Sequence, residues 1–451
     1  MSLLQITDNH DWKDFKSFLT DEATAEVDLP NLQKIADINI SELSFDDNPN
    51  LLIFPHDLNQ HGDKIGDNCI ISLNHRNEIS TSNIMGFVGI NETQLDIKSR
   101  FAKEDKEDYF LHYMLERVFS INLFDMKHSS SEEQIFDFLI YLFPHFLKKA
   151  LAQGLFKKYR RYEHNNANVK GPISISRHIK ENIPFRGTIS YSTREHSYDN
   201  EITQLIRHTI EFIKTKKNSS FILNIDNETK ECVDQITMAT SSYNLRERDK
   251  IINRNLRPFQ HPYYSEYASL QKICLQILRH ELIKFGKEKD KVYGILFDGA
   301  WLWEEYLFTI LEKHKFKHPR TNDSKGGIPM FTNDDNNNEI DKNSRKLYPD
   351  FYKDDFIIDA KYKHLEKGVG REDLYQIVTY MYCKKAERGA FIYPCKEENI
   401  KSLKLELSGY GKIISVLPFY IPQSIECYEQ FKNKIFASED NILLKVKMPT
   451  T

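Results

Sequence analysis

The chain has 451 residues, long enough for two or three domains that each bury a core. Its 62 Lys and Arg nearly balance 66 Asp and Glu, leaving a formal charge of −4, so contact with nucleic acid is expected from a local patch and not from bulk charge. No apolar run reaches about 18 residues and the opening segment, Met1 to Asp8, lacks the basic-then-apolar form of a signal peptide, so neither a membrane span nor secretion is expected and the cytoplasm is the expected compartment.

Residues 1–104 carry short alternating segments, such as Ile84-Met85-Gly86-Phe87-Val88-Gly89-Ile90 and Leu95-Asp96-Ile97-Lys98, broken by Asn, Asp and Gly; this predicts a β-rich N-terminal domain. Residues 105–258 read as mostly helical. Glu107 to Val118 sets Phe110, Met114 and Leu115 on one stripe, Glu133 to Gly154 does the same with Ile135, Phe138, Leu139 and Leu142, and Ile202 to Ile213 repeats the period. Two basic clusters fall here, Lys157-Lys158-Tyr159-Arg160-Arg161-Tyr162 and the looser Arg246, Arg248, Lys250, Arg254 and Arg257. Such clusters grip phosphates or reach toward a partner's nucleotide, although a solvated helix face is the commoner outcome for a charge run. His261-Pro262-Tyr263-Tyr264 marks a boundary, and residues 259–451 are expected to form the third domain.

In that third region Phe297 to Leu311 reads as an apolar helix interrupted by Glu304 and Glu305. An acid amid so much Trp, Leu and Phe needs a partner, and a metal ion is one. The two glutamates are about 100° apart on a helix, so only one can face a given site. Asn322 to Lys346, with Asn333-Asp334-Asp335-Asn336-Asn337-Asn338, predicts an exposed loop. Tyr348-Pro349-Asp350-Phe351 follows, then polar Tyr352-Lys353-Asp354-Asp355, β-prone Phe356-Ile357-Ile358, and Asp359-Ala360-Lys361. A hairpin here brings Asp350 beside Asp359. On a strand Asp359 and Lys361 share one face, opposite Ile358 and Ala360. Two carboxylates beside a lysine suit a hard cation: Mg²⁺ takes one or two protein carboxylates, waters and substrate phosphate oxygens. The lysine can orient or deprotonate an attacking water. Glu372 to Ala386 then reads as a helix that buries Leu374, Ile377, Val378 and Met381, with Gln376 and Tyr380 on one stripe. Lys363 either contacts phosphate or solvates the strand.

Absent motifs narrow the chemistry. No Gly-x-x-x-x-Gly-Lys-Ser/Thr occurs, and Gly409-Tyr410-Gly411-Lys412 has the wrong spacing for a P-loop, so the chain is not expected to hydrolyse nucleotide itself. His280-Glu281 does not begin a His-Glu-x-x-His zinc motif, and the 16 histidines are dispersed. Cys69, Cys232, Cys274, Cys383, Cys395 and Cys427 form no Cys-x-x-Cys pair, which argues against structural zinc and a disulfide framework.

The order of a Glu-bearing helix, a hairpin with Asp and Asp-x-Lys, and a helix with Gln-x-x-x-Tyr resembles the PD-(D/E)XK nuclease superfamily. Leu302-Trp303-Glu304-Glu305-Tyr306-Leu307, Asp359-Ala360-Lys361-Tyr362-Lys363 and Asp373-Leu374-Tyr375-Gln376-Ile377 narrow this to a resemblance to the McrC family, the nuclease subunits of modification-dependent McrBC restriction systems. Gly154-Leu155, Tyr159, Val169-Lys170-Gly171-Pro172-Ile173 and Asn200-Glu201 resemble the middle of that family, whereas residues 1–80 carry no family motif.

The resemblance implies an α+β or α/β multidomain protein: a β-rich N-terminal domain, a helical middle that docks a partner, and a restriction-endonuclease-like C-terminal domain with a central mixed sheet flanked by helices. It implies an antiviral endonuclease that cuts double-stranded, modified DNA, with Asp350, Asp359, Lys361, Glu304, Gln376 and Tyr380 at the active site. Mg²⁺, or Mn²⁺ in its place, would sit on Asp350, Asp359, the Ala360 carbonyl and Glu304, which the family pattern favours over Glu305 because it directly follows the aromatic at 303. The implied partner is a hexameric McrB-like AAA+ GTPase, the only user of GTP, with paired complexes cutting both strands. A stand-alone repair nuclease of the same superfamily, or a regulatory GTPase-activating subunit with a vestigial site, are the competing expectations.

Overall fold

The computed structural model describes residues 2–19, 24–43, 51–55, 65–103, 108–119, 131–216, 220–283, 292–319, 327–330, 346–408 and 411–447. It is a mixed α/β structure with several sheets. The chain divides into two compact units, one made of Met1–Asp125 with Glu288–Thr451 and the other of Met126–Lys287. This differs from the consecutive regions 1–104, 105–258 and 259–451 read in the sequence, and hydrogen bonding is the reason.

Strands β1 (Ser2–Thr7), β2 (Leu51–Phe54), β3 (Ile84–Ile90) and β4 (Thr93–Lys98) take β5 (Val292–Asp298) into their sheet. The order is β1-β4-β3-β5-β2, with β5 antiparallel to β3 and parallel to β2. A cut after residue 258 therefore removes an interior strand from the N-terminal sheet. One face of the sheet buries Leu4, Ile6, Val88, Ile97, Val292 and Leu296 in a common core with Leu32 and Ile79. Helix α1 (Tyr109–Phe119) follows, begun by Asp108, which accepts from the Leu111 amide at 2.9 Å.

Immediately after β5 the chain turns into α2 (Gly299–Leu311), because the Asp298 carboxylate accepts from the Ala300 amide at 2.7 Å and caps the helix. The helix expected from Phe297 thus starts two residues later, and Phe297 and Asp298 end the strand. A second five-stranded sheet has the order β6-β7-β8-β10-β9: β6 (Phe351–Lys353), β7 (Phe356–Ala360), β8 (Arg388–Cys395), β9 (Leu403–Glu406) and β10 (Ile413–Tyr420). β7, β8 and β10 are parallel, while β6 and β9 close the edges antiparallel. Helix α3 (Arg371–Lys384) supplies the crossover from β7 to β8, packing Ile377, Tyr380 and Met381 on Ile357, Phe391 and Val416. Helix α4 (Tyr428–Lys447) ends the chain's described part, and its buried Glu439 accepts hydrogen bonds from Tyr113 of α1 and Tyr306 of α2, each at 2.8 Å. Trp303 of α2 is wholly buried and meets Phe419 of β10 edge to face at 5.3 Å.

The second unit holds helices Ser131–Ala152, Ile175–Asn182, Glu201–Thr215, Asn227–Ala239, Arg248–Arg254 and Glu266–Ile283. The expectation of a mostly helical middle needs one correction. Lys158–Asn166 and Ile189–Ser197 form a two-stranded antiparallel hairpin, so the first basic cluster lies on a strand and not on a helix face. The polar run at Asn333 to Asn338 lies outside the described residues. No helix among the described residues is long and apolar enough to cross a membrane.

Gly86 of β3 has φ +123°, and a Cβ there would overlap the Ile295 carbonyl of β5. Only glycine lets the two backbones approach in this conformation. Gly86→Ala is expected to lower the stability of the first unit by about 2 kcal/mol or more, from backbone strain and strand separation. The urea midpoint followed by tryptophan fluorescence measures this, because all three tryptophans (Trp12, Trp301 and Trp303) belong to that unit. An unshifted midpoint contradicts the close approach.

Candidate active site

The expected hairpin forms. Asp354 adopts a left-handed φ of +47° in the turn, and the strands pair Phe351 with Ile358 and Tyr352 with Ile357. Continuing this register by one residue sets Asp350 across from Asp359, and the Asp350 carboxylate accepts from the Ala360 amide at 2.6 Å. Strand β7 is buried along its whole length, Asp359 included, because β6 and β8 flank it and helices cover its faces. The face that alternation marks as charged is therefore interior at Asp359, and it opens to solvent toward half-buried Lys361 and exposed Gln376.

The charges at the end of this strand are tightly coupled. The Lys361 ammonium lies 2.8 Å from Asp359 Oδ2, and no other hydrogen-bond donor among the described residues reaches that oxygen. Burial pushes the Asp359 carboxyl above the ordinary carboxylate range, against the pull of Lys361. Burial also works against the Lys361 charge, yet the carboxylates of Asp359 and Asp350 outweigh it and hold the ammonium above its ordinary range. Lys361 is thus a fixed cation in this arrangement, suited to orienting a water or a phosphate.

Helix α3 completes the cluster. Lys361 donates to Gln376 Oε1 at 3.1 Å, and Gln376 donates from Nε2 to the Tyr380 hydroxyl at 2.9 Å. Burial, and next the charges of Asp350 and Asp359, push the Tyr380 phenol up to about 12, so it stays protonated. Asp373 opens the 373–377 motif without a site role expected for it, yet its carboxylate lies 3.5 Å from Lys361 and accepts from Lys363 at 2.6 Å. Its place in the first turn of α3 also favours a negative charge. The signal was available, since Asp373, Gln376 and Tyr380 follow one helical stripe.

On α2 the structure sets Glu304 and Glu305 apart. Glu304 is half-buried, whereas Glu305 is buried with its Oε1 4.0 Å from Nε2 of His318. The His318 ring donates from Nδ1 to the Asp350 carbonyl oxygen at 2.6 Å. Glu305 shares its stripe with Phe308, whose ring stacks on Phe351 of β6 at 6.4 Å and meets His318 at 5.3 Å. Helix α2 thus meets the hairpin directly through Phe308 and Phe351, and by way of His318 through Glu305. No sequence pattern marks His318, because its partners are distant in the chain.

The groups near Asp350 and Asp359 that could ligate a metal are carboxylate and carbonyl oxygens, and the buried Asp359 carboxylate is ion-paired with Lys361, an arrangement that fits a hard divalent cation carrying its own waters. Among the described residues no group of three or more His, Cys, Asp or Glu converges into a closed cage.

The family model described as "McrBC 5-methylcytosine restriction system component" matches residues 79–394. No curated protein matches the chain. Among solved structures, the chain is similar at 14% identity to one in a refined half-complex from a tetradecameric assembly of Thermococcus gammatolerans McrB AAA+ hexamers with bound McrC, covering 98% of this chain and 100% of that one with a TM-score of 0.43. It is also similar at 15% identity to a chain in the Thermococcus gammatolerans McrBC complex, covering 70% of this chain and 89% of that one with a TM-score of 0.32.

In metal-free buffer, Lys361→Met removes the attraction that opposes burial of Asp359. The Asp359 carboxyl of this variant is expected to titrate at higher pH than in the wild type, as followed by carboxyl-carbon NMR. Identical curves contradict the ion pair.

Proposed function

Because the chain belongs to the family of McrBC 5-methylcytosine restriction system components, we propose that it is the endonuclease subunit of such a system, hydrolysing phosphodiester bonds of double-stranded, modified DNA in defence against phage. The observation that carries the reading is the placement of Asp350 across the hairpin from Asp359, with the Lys361 ammonium 2.8 Å from the latter. We take the sheet β6 to β10 with α2 and α3 as a PD-(D/E)XK nuclease core.

Asp350 and Asp359, the Ala360 carbonyl and one glutamate of α2 are the residues that would hold Mg²⁺, or Mn²⁺ in its place. Glu304 follows the family pattern, and Glu305 lies 4.0 Å from the His318 that donates to the Asp350 carbonyl. A cation held there would supply Lewis acidity toward a phosphate oxygen and would make a water easier to deprotonate. Lys361, charged and aimed from the strand end, orients the attacking water and opposes negative charge that grows on the phosphate in the transition state. Asp373 and Gln376 hold the lysine's long side chain in one direction, and Tyr380 holds Gln376.

We also propose that the chain works with a hexameric McrB-like AAA+ GTPase and raises its hydrolysis. Family membership supports this, as does the lack of a P-loop in the sequence. The second unit, with its basic hairpin, is the proposed docking element. Each chain carries one such site, so cutting both strands calls for paired complexes.

Asp359→Ala and Lys361→Ala are expected to reduce cleavage by several orders of magnitude in the reconstituted system while leaving the fold intact, because each removes a transition-state interaction. Chelation should abolish cleavage, Mg²⁺ or Mn²⁺ should restore it, and Ca²⁺ should permit DNA binding with little or no cutting. Cleavage at the normal rate by either folded variant, or cleavage that survives chelation, would sink the assignment.

The full chain carrying Lys361→Ala should still accelerate GTP turnover by an McrB-like AAA+ partner, by about tenfold or more if an inserted group completes that enzyme's site. Unchanged turnover from a folded chain favours the stand-alone nuclease.

A further inference from the structure

Tyr362 directly follows the Lys361 of the candidate site, and its side chain runs into the first sheet's end of the same unit. Its hydroxyl lies 2.6 Å from Ser99 Oγ, and its ring meets Phe101 edge to face at 5.1 Å. The Arg100 guanidinium carbon sits 4.9 Å from the ring centroid. Arg100 is bound to buried Asp8 through both Nε, at 2.9 Å, and a terminal nitrogen, at 2.5 Å, and it also donates to the Asn83 side-chain oxygen. Asn83 in turn donates to Asp298 at 3.2 Å, and its carbonyl accepts from the Gly299 amide at 2.9 Å.

Gly299 closes the circuit. A Cβ on it would stand 2.7 Å from the Tyr362 ring, so the first residue of α2 packs directly against the phenol. Ser99 is anchored separately, its amide donating at 2.5 Å to the Asp108 carboxylate that starts α1. Residues from four distant stretches thus converge on one tyrosine: the end of β1, the entry to β3, the segment after β4, and the β5–α2 junction.

Resting on the nuclease reading above, we propose that Tyr362 is a positioning residue for cleavage, and that Ser99 with the Asp8–Arg100–Asn83 group holds it. It fixes the backbone just beyond β7, so that the Lys361 ammonium and the start of α2 keep one relative placement. On its other side the Lys361 amide is tied to the Ile392 carbonyl of β8 at 2.9 Å. A long lysine side chain keeps its charge in place only if its Cα is held, and small misplacements at a reacting centre are costly in rate. Filling the space asks for no hydroxyl: a phenylalanine has nearly the same volume and no polar group to satisfy. Buried ion pairs such as Asp8–Arg100 add little net stability compared with apolar packing, whereas they restrict geometry. The first ~100 residues, which carry no nuclease motif of their own, thereby contribute to the site.

The test uses the full chain in the reconstituted cleavage system with Tyr362→Phe, Ser99→Ala, the double variant and Lys361→Ala. Each single variant removes one end of the Ser99–Tyr362 hydrogen bond without emptying the core. Each is expected to lower kcat about tenfold with KM for DNA unchanged. The double variant should be no slower than the slower single one. Amide exchange in the segment 359–363 should accelerate in the same variants, with the rest of the first unit unchanged. A structural role alone would lower the melting temperature and leave kcat at the wild-type value. Wild-type kcat in folded Tyr362→Phe and Ser99→Ala, beside an inactive Lys361→Ala, overturns the inference and leaves the nuclease reading standing. Wild-type cleavage by Lys361→Ala overturns both.

Discussion

A carboxylate buried inside a strand that is flanked on both sides loses the water that would stabilise its charge, and Asp359 is in that position. Lys361 compensates, and the cost of burial then becomes an asset: the pair interacts in a poorly hydrated place, where each charge strongly governs the other. Strand alternation puts the lysine on the same face at the point where the strand leaves the sheet. One partner is therefore interior and the other reaches toward solvent. Asp350, Asp373, Gln376 and Tyr380 are arranged around that single pair, and each makes sense as a group that limits where the ammonium can go.

The pair is held by elements that are far apart in the chain. The parallel arrangement of β7, β8 and β10 needs crossovers, and α3 provides the first while bringing Asp373, Gln376 and Tyr380 to the strand end. Helix α2 comes from the other sheet. It follows β5 without a loop, so its start is set by the hydrogen bonds of β5 to β3 and β2. A buried glutamate on α4 fixes its middle through Tyr306, and Tyr113 of α1 binds the same carboxylate oxygen. Elements of both five-stranded sheets of the first unit consequently meet around the candidate site, although only the second contains the Asp and Lys motif.

This arrangement explains why the N-terminal residues have no nuclease signature and yet lie within the same compact unit as the hairpin. Asp8, Asn83, Ser99 and Arg100 satisfy one another and Tyr362, chemistry that leaves no local pattern because each residue looks like an ordinary polar residue beside a strand. Family membership through residues 79–394 includes three of these four positions and Tyr362, whereas Asp8 lies outside the matched range.

Features that depend on neighbours in the chain are legible without a fold. Period-two alternation and a polar turn are local, so the hairpin that opposes Asp350 to Asp359 could be read directly, as could the stripe that joins Gln376 to Tyr380. Features that depend on pairing between distant segments are not legible in this way. Val292 to Asp298 looks like any apolar strand, and nothing in it says that its partners are β3 and β2. Lys158 to Asn166 is too polar to show which residues it buries, so local pattern does not separate its strand from the helices around it. Glu304 and Glu305 differ by one step of helical rotation, and which of them meets His318 is set by how α2 packs on β6 through Phe308 and Phe351. A residue's type and spacing are properties of the chain, but the face it presents to a distant partner exists only once long-range hydrogen bonds and side-chain packing have chosen the register.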